Sequence, residues 1–153
     1  MNPGWIPADE WRTIVANVPI VSVDLLVRKD ERLVFGKRTN QPAKGYWFVP
    51  GGRVHKGETR EEAVHRVGEQ ELGLEVTIIE SLGAYEHLYE TADVENAGGK
   101  HYLANGYVVE VVDGKLRKDD QHADLKYYDC PPEPLHEYVA QYLSDAESLP
   151  REF

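Results

Sequence analysis

The residues whose types and spacing could do chemistry are concentrated in one stretch, Gly51 to Leu74, which reads GGRVHKGETREEAVHRVGEQELGL. A glycine pair is followed by Glu58, Arg66 and Glu71, and the stretch closes on Gly73 and Leu74. Thr59 and Glu62 have capping-box spacing, which predicts a helix from Thr59 to about Leu72 with Gly73 as its left-handed C-cap. Residues three and four apart share a helix side, so Val64, Val67 or Gly68, and Glu71 are expected together. Glu71 then ends a largely apolar strip, where a carboxylate needs a partner such as a metal ion; the alternative is a solvated surface carboxylate. Gly68 costs about 1 kcal/mol relative to alanine inside a helix, which implies that something approaches its backbone closely.

Around this stretch the chain reads as strands. Residues 1–18 begin polar, with Pro3, Gly4 and Pro7, and Asp9 is positioned to cap a short helix carrying Trp11, Ile14 and Val15; this is a covering segment or a dimer contact. From Ile20 to Val27, Val21, Val23, Leu25 and Val27 alternate with Ser22, Asp24 and Leu26, the two-residue period of a strand, which aims Asp24 away from the valines. A charged turn, Arg28 to Arg32, leads into a second strand, Leu33 to Lys37, as a hairpin. Tyr46 to Val49 is a short buried strand, and Val76 to Glu90 gives strands broken near Gly83. A surface loop, Thr91 to Gly99, precedes a long strand, Lys100 to Val112. The polar loop Lys118 to Asp124 precedes the strand Leu125 to Asp129, and a final helix follows with Leu135, Val139 and Tyr142 or Leu143 on one face. Strands, a central helix, more strands and a terminal helix predict an α+β fold, a mixed sheet covered by helices.

The chain of 153 residues fits one domain, residues 1–153, and a fold of this size buries roughly 70% of its unfolded surface. Its longest aliphatic or aromatic run, Tyr46 to Val49, is far short of the roughly 18 residues needed to cross a bilayer, so no membrane is expected. The N-terminus has no basic and apolar signal regions, and the single Cys130 suits a reducing cytoplasm. A net charge of −10 argues against non-specific binding to nucleic acid, which draws most of its affinity from phosphate neutralisation. It leaves room for a phosphate-bearing small molecule, because a few arginines and a metal ion can make one pocket positive.

The spacing of Gly51–Gly52, Glu58, Arg66, Glu71, Gly73 and Leu74 resembles the Nudix box. Two positions depart from it: Val67 stands where the family has the glutamate after arginine, and Gln70 where it has the first glutamate of the pair. The resemblance implies the Nudix fold, Glu71 and the Gly51 carbonyl as metal ligands, and a Glu58–Arg66 link that braces loop and helix. With one helix carboxylate left, a single Mg2+ is the expected cofactor. A site short of carboxylates must also find its base elsewhere or perform a different displacement.

A narrower likeness runs from about Ile20 to Tyr128. VSVDLLV, FGKRTNQPAKGYWFVPGGRV, the Glu71–Leu74 end of the box and Asp120-Gln121-His122 resemble the GDP-mannose mannosyl hydrolase branch of the family. That branch cleaves between the anomeric carbon and the diphosphate, with inversion, and its members are typically dimeric. The likeness implies His122 as general base, a role suited to an imidazole that is neutral and still basic near pH 7. It implies Gln121 as the third metal ligand and Arg38 as the group stabilising the departing diphosphate, with Arg53 a second candidate. Asp24 and His87 are placed near the sugar and Tyr102 near the diphosphate, although Asp24 could instead satisfy backbone amides and Tyr102 could be core. Tyr46 and Trp47 either stack on guanine, close the sugar pocket or belong to the core. His55, His65, His101 and His136 are taken as structural. The expectation is a Mg2+-dependent GDP-mannose hydrolase, a homodimer acting on a nucleotide sugar. An ordinary Nudix pyrophosphohydrolase and a non-catalytic nucleotide-sugar binding module are the alternatives.

Overall fold

The computed structural model describes residues 5–118 and 121–153; Pro3 and Gly4 of the predicted covering segment and Asp120 of the predicted loop lie outside them. In chain order the elements are α1 (Ala8–Asn17), β1 (Ile20–Lys29), β2 (Arg32–Arg38), β3 (Trp47–Phe48), β4 (Gly51–Arg53), α2 (Arg60–Arg66) with a π-helical turn (Val67–Glu71), β5 (Leu74–Leu88), β6 (His101–Gly114), β7 (His122–Tyr128) and α3 (Glu137–Asp145). Among the described residues the seven strands form one mixed sheet. β1 runs parallel to β6 from Ile20↔Tyr102 to Arg28↔Glu110, and β5 pairs antiparallel with β6.

The alternation in β1 buries both faces of the sheet. Val23, Leu25 and Val27 pack with Ala63, Val64 and Val67 beneath α2, while Leu26 packs with Phe35, Val108, Val139 and Tyr142 beneath α3. The sheet therefore lies between two helices, an α+β fold as predicted. Val15 of α1 packs against Ile20 and Ala97 as a third, smaller cluster. β1 and β2 touch only at their hairpin end, Arg28↔Leu33 and Lys29↔Arg32. Beyond it they part: β4 pairs with the start of β1, and β3 and β7 pair with β2. Among the described residues no helix is long and apolar enough to cross a membrane.

Four local expectations are corrected. Asp9 lies inside the first turn of α1, and Pro7 takes the cap position. β5 is one strand through Gly83, because register shifts at Glu75/Val76, Ile78/Glu80 and Ser81/Gly83 absorb the irregular residues as bulges, with Gly83 at φ +94°. His122 opens β7 rather than sitting in a loop; a bulge between Phe35 and Lys37, facing Asp124 at φ +54°, lets the ladder continue to Arg38↔His122. Glu71 is exposed instead of ending the apolar strip. The π-helical turn inserts one extra residue, so Leu72 follows Val64, Val67 and Gly68 into the core.

The predicted helix start and stop are otherwise present. The Thr59 hydroxyl accepts from Glu62 N–H at 3.1 Å and the Glu62 carboxylate accepts from Thr59 N–H at 3.2 Å. Gly73 has φ +70°, and a Cβ on Gly68 would come within 3.2 Å of the Leu74 carbonyl, the close approach expected there. Arg66 binds Glu58 through Nε at 2.7 Å and Nη2 at 3.1 Å, and its Nη2 also donates to the Arg53 carbonyl at 2.8 Å. Glu58 further accepts from His55 N–H at 3.0 Å. One ion pair thus fixes β4, the loop and α2.

The hydrogen bonds from Arg66, ahead of the opposing effect of burial, hold the Glu58 carboxyl below its ordinary pKa. Its contribution to stability is present above the ordinary carboxylate range and is lost as pH falls through the lowered value. Glu58→Gln is expected to cost about 2 kcal/mol at neutral pH. Urea denaturation should show the gap between wild type and variant closing in acid; an equal gap at both pH values would contradict the brace.

Candidate active site

Where β1 and β2 part, a cavity of about 300 Å³ opens. Its wall takes Asp24 from β1, Arg38 from β2, Gly51 and Arg53 from β4, His87 from β5, Tyr102 from β6, and Gln121 and His122 at the start of β7. These predicted site residues come from distant parts of the chain and meet in one place. Glu71 does not line the cavity. Trp47 packs edge-on against Tyr128 at 5.3 Å, and the exposed Tyr46 meets His136 at 5.2 Å, so neither reaches it.

The β2–β7 ladder positions one wall. Arg38 lies opposite His122 in register, and its Nη1 donates to Gln121 Oε1 at 3.1 Å while Nε donates to the Pro42 carbonyl at 3.2 Å. Thr39 donates from both N–H and hydroxyl to the Gln121 carbonyl, each at 3.1 Å. The His122 side chain lies over Gly36, where an added Cβ would stand 2.5 Å from His122 Cβ and 2.8 Å from Cγ. Only glycine leaves room for the imidazole at that position.

Asp24 forms the floor. It is buried, and its Oδ2 accepts from the Tyr142 hydroxyl of α3 at 2.7 Å. Burial pushes its pKa up to about 6, against the opposing pull of the Tyr142 hydrogen bond and the Arg38 charge. His87 is buried and stacked face to face on Tyr138, centroids 4.1 Å apart. Burial, then the neighbouring His136, lowers its pKa to about 4, so it is a neutral imidazole at pH 7 that can donate from one nitrogen and accept at the other.

Gly51 is a glycine for a reason of space: a Cβ there would stand 2.5 Å from Asp24 Oδ1. Leu25 N–H donates to the Pro50 carbonyl at 2.8 Å and Val54 N–H to the Val21 carbonyl at 2.9 Å. This makes Asp24–Gly51 a non-hydrogen-bonded pair and turns the Gly51 carbonyl away from β1. That carbonyl and the Gln121 amide oxygen are hard donors of the kind a divalent cation takes. Among the described residues no three His, Cys, Asp or Glu side chains are grouped as a cage. Such a donor set fits Mg2+, which keeps several waters and leans on substrate phosphates.

Trp11, Tyr89, Asp93 and Lys100 also line the cavity and were missed in the sequence. Strand period was the available signal: residues two apart share a face, so choosing His87 implies Tyr89, and choosing Tyr102 implies Lys100. For Trp11 and Asp93, which come from α1 and an irregular segment, no such signal exists.

A mixed sheet between helices, with a braced glycine loop leading into a helix, is the architecture of the Nudix hydrolases. Residues 18–148 match the NUDIX domain model, and the chain belongs to the Nudix family. It is 52% identical over 138 residues to the low-salt glycan biosynthesis protein Agl8 of Haloferax volcanii, covering 90% of this chain and 88% of that protein. It is 34% identical to an ADP-ribose pyrophosphatase of Methanocaldococcus jannaschii, covering 72% of this chain and 62% of that protein. Among solved structures, a MutT NUDIX hydrolase from Burkholderia pseudomallei superposes with a TM-score of 0.66 at 29% identity, covering 84% of this chain and 98% of that one. Divalent metal use, typically Mg2+, is general in this family.

Because the Asp24 pKa is raised, the buried carboxyl favours folding while protonated, and that advantage is lost as pH rises through about 6. In metal-free protein, Asp24→Asn keeps the shape and an acceptor for Tyr142. Thermal denaturation from acid to pH 8 should show the variant gaining on wild type as pH rises, by on the order of 3 kcal/mol at the alkaline end. Parallel curves would mean that Asp24 is not desolvated.

Proposed function

We propose that the chain hydrolyses GDP-mannose to GDP and mannose, with water attacking the anomeric carbon and inverting it. The observation that carries this reading is the position of His122, packed over Gly36 and opposite Arg38 at the cavity wall. Three other proton acceptors line the cavity, and each is poorly suited to be the base. Asp24 is bonded to Tyr142, His87 is held neutral with weak basicity, and Asp93 is paired with Lys100. The helix offers little: Val67 is fully buried, Gln70 is uncharged, and Glu71 is exposed.

In this reaction a water oxygen bonds to the anomeric carbon and its proton passes to the His122 imidazole. The bond from that carbon to the diphosphate oxygen breaks, and its electron pair leaves with GDP. Arg38 and Arg53 donate charged hydrogen bonds to the departing diphosphate, so no general acid is needed. Asp24 and His87 hold sugar hydroxyls. A Mg2+ ion held by the Gly51 carbonyl and Gln121 would neutralise diphosphate charge and improve the leaving group. The likeness of FGKRTNQPAKGYWFVPGGRV to the GDP-mannose mannosyl hydrolase branch supports the substrate, and the glycan-biosynthesis relative supports a nucleotide sugar.

Reaction in oxygen-18 water should place the label in mannose. Label in the nucleotide, or release of GMP and mannose 1-phosphate, would favour the pyrophosphohydrolase reading that the ADP-ribose pyrophosphatase relative supports. Tight GDP-mannose binding without turnover would favour the binding module. His122→Gln is expected to lose about 10²–10⁴-fold in kcat with little change in GDP-mannose affinity; near-normal turnover would refute the base assignment. The homodimer belongs to the same proposal. Val21 and Leu103, paired across β1 and β6, are both exposed and offer an apolar contact. Sedimentation velocity at micromolar concentration should give a dimer, and a monomer would overturn it.

A further inference from the structure

We propose that Asp93 and Lys100 read the nucleobase and select guanine, an inference that rests on a GDP-sugar being the substrate. The strand register lays the cavity out in order. Asp24 pairs with Gly106 across β1 and β6, Ser22 pairs with Arg53 across β1 and β4, and Ile20 pairs with Tyr102. Four strand positions separate the level of Asp24 from that of Tyr102, roughly 13 Å at about 3.3 Å per residue. His87 pairs with Tyr102 across β5 and β6, but its ring lies 5.6 Å from that of Tyr142, whose hydroxyl binds Asp24. A sugar between Asp24 and the His87 ring, with a diphosphate between Arg38 and Arg53, leaves the base to the end of the cavity lined by Tyr102, Trp11 and Lys100.

Lys100 is unusual there. Its side chain is 6% exposed in the wall of a cavity, and its ammonium is bonded at 2.8 Å to Asp93 Oδ1 and lies 5.2 Å from the ring centroids of both Trp11 and Tyr102. An ammonium has three donors, and the Asp93 pair takes one. The pair is held firmly. Lys100 N–H donates to the Thr91 carbonyl at 3.2 Å, and Tyr89 N–H donates to the Lys100 carbonyl at 2.8 Å. Arg12 Nε of α1 donates to the Glu95 carbonyl at 2.9 Å, and the apolar cluster around Val15, Ile20 and Ala97 ties α1 to the same segment. An ion pair at the mouth of an aromatic-walled cavity presents a donor beside an acceptor.

Guanine is the complement of that pair. Its O6 accepts from the ammonium, and its N1–H and N2 amino group donate to the carboxylate. Adenine reverses the pattern, with an amino donor facing the ammonium and N1 facing the carboxylate. Uracil offers the carbonyl and one N–H but has no amino group. The Trp11 and Tyr102 rings supply apolar faces for a planar base.

Calorimetric titration with GDP, IDP, ADP and UDP in the presence of Mg2+ tests this. Unaltered protein should bind GDP at least about 100-fold tighter than ADP, with IDP, which lacks only the amino group, about tenfold weaker than GDP. Asp93→Asn and Lys100→Met should weaken GDP by about ten- to a hundredfold and leave ADP nearly unchanged. Equal affinities for GDP, IDP and ADP on the unaltered protein would overturn the proposal, whatever the variants do. So would equal losses for GDP and ADP in both variants, which would make the pair a phosphate contact or a loop support. Binding requires no turnover, so the reaction is judged separately: guanine selection with label in the nucleotide sinks the carbon-attack reading and leaves the base site, and mannose release without base selection does the reverse.

Discussion

The hydrogen bond from Tyr142 to Asp24 is the constraint on which the rest of the cavity depends. A buried carboxylate is costly unless it is hydrogen-bonded and near positive charge. Here the hydroxyl comes from α3, the charge from Arg38 at the end of β2, and the space from Gly51 on β4, where a Cβ would meet Asp24 Oδ1. Three elements are thereby fixed relative to β1. Tyr142 in turn occupies room that Gly106 leaves on β6, where a Cβ would stand 2.6 Å from its ring, and it meets the rings of Tyr85 at 4.8 Å and His87 at 5.6 Å. The aromatic wall and the carboxylate floor are one packed unit.

What could be read from the sequence was what short-range chemistry determines. Thr59 and Glu62 are three residues apart and cap their helix without help from tertiary structure, and Gly73 stops it for a backbone reason of its own. The hairpin end and the β1 alternation follow from the same kind of rule. The phase of Glu71 was lost because a 3.6-residue period assumes an uninterrupted α-helix, and the π-helical turn is set by packing of Val67, Gly68 and Leu72 against the sheet. His122 reads as part of a loop in sequence because the bulge that extends β7 belongs to its pairing with β2, a partner more than eighty residues away. The cavity residues recovered by family likeness, Arg38 and Gln121 among them, have no periodic signature. Lys100 and Tyr89 needed the strand period to be applied a second time, and Trp11 and Asp93 lie where no strand period operates.

The charge distribution separates exterior from site. The chain carries a net charge of −10, yet Arg38, Arg53 and Lys100 converge on a cavity whose lining carboxylates are Asp24 and Asp93. Each of those carboxylates is engaged, one by a hydroxyl and one by an ammonium. An acidic surface discourages polyanions such as nucleic acid, while a recessed cationic pocket still admits a small phosphate ester. The arginines stand in a partly desolvated place, where a charged hydrogen bond is worth more than it is on the surface.

Placing the base on β7 rather than on α2 has a mechanical consequence under the proposed reaction. A helix glutamate approaches a diphosphate from the side of the metal, which suits attack at phosphorus. His122 stands on the opposite strand wall beside Arg38, and its ring position is fixed by the absence of a side chain at Gly36. Asp24 and His87, which that reaction assigns to the sugar, share the cavity with it. The nucleophile's proton acceptor and the leaving group's counter-charge are then carried on neighbouring ladder positions of one sheet, so their separation is set by backbone hydrogen bonds. Under that reaction the site tolerates Val67 and Gln70 on the helix, because Val67 fills the core and the proton acceptor is carried by the strand wall.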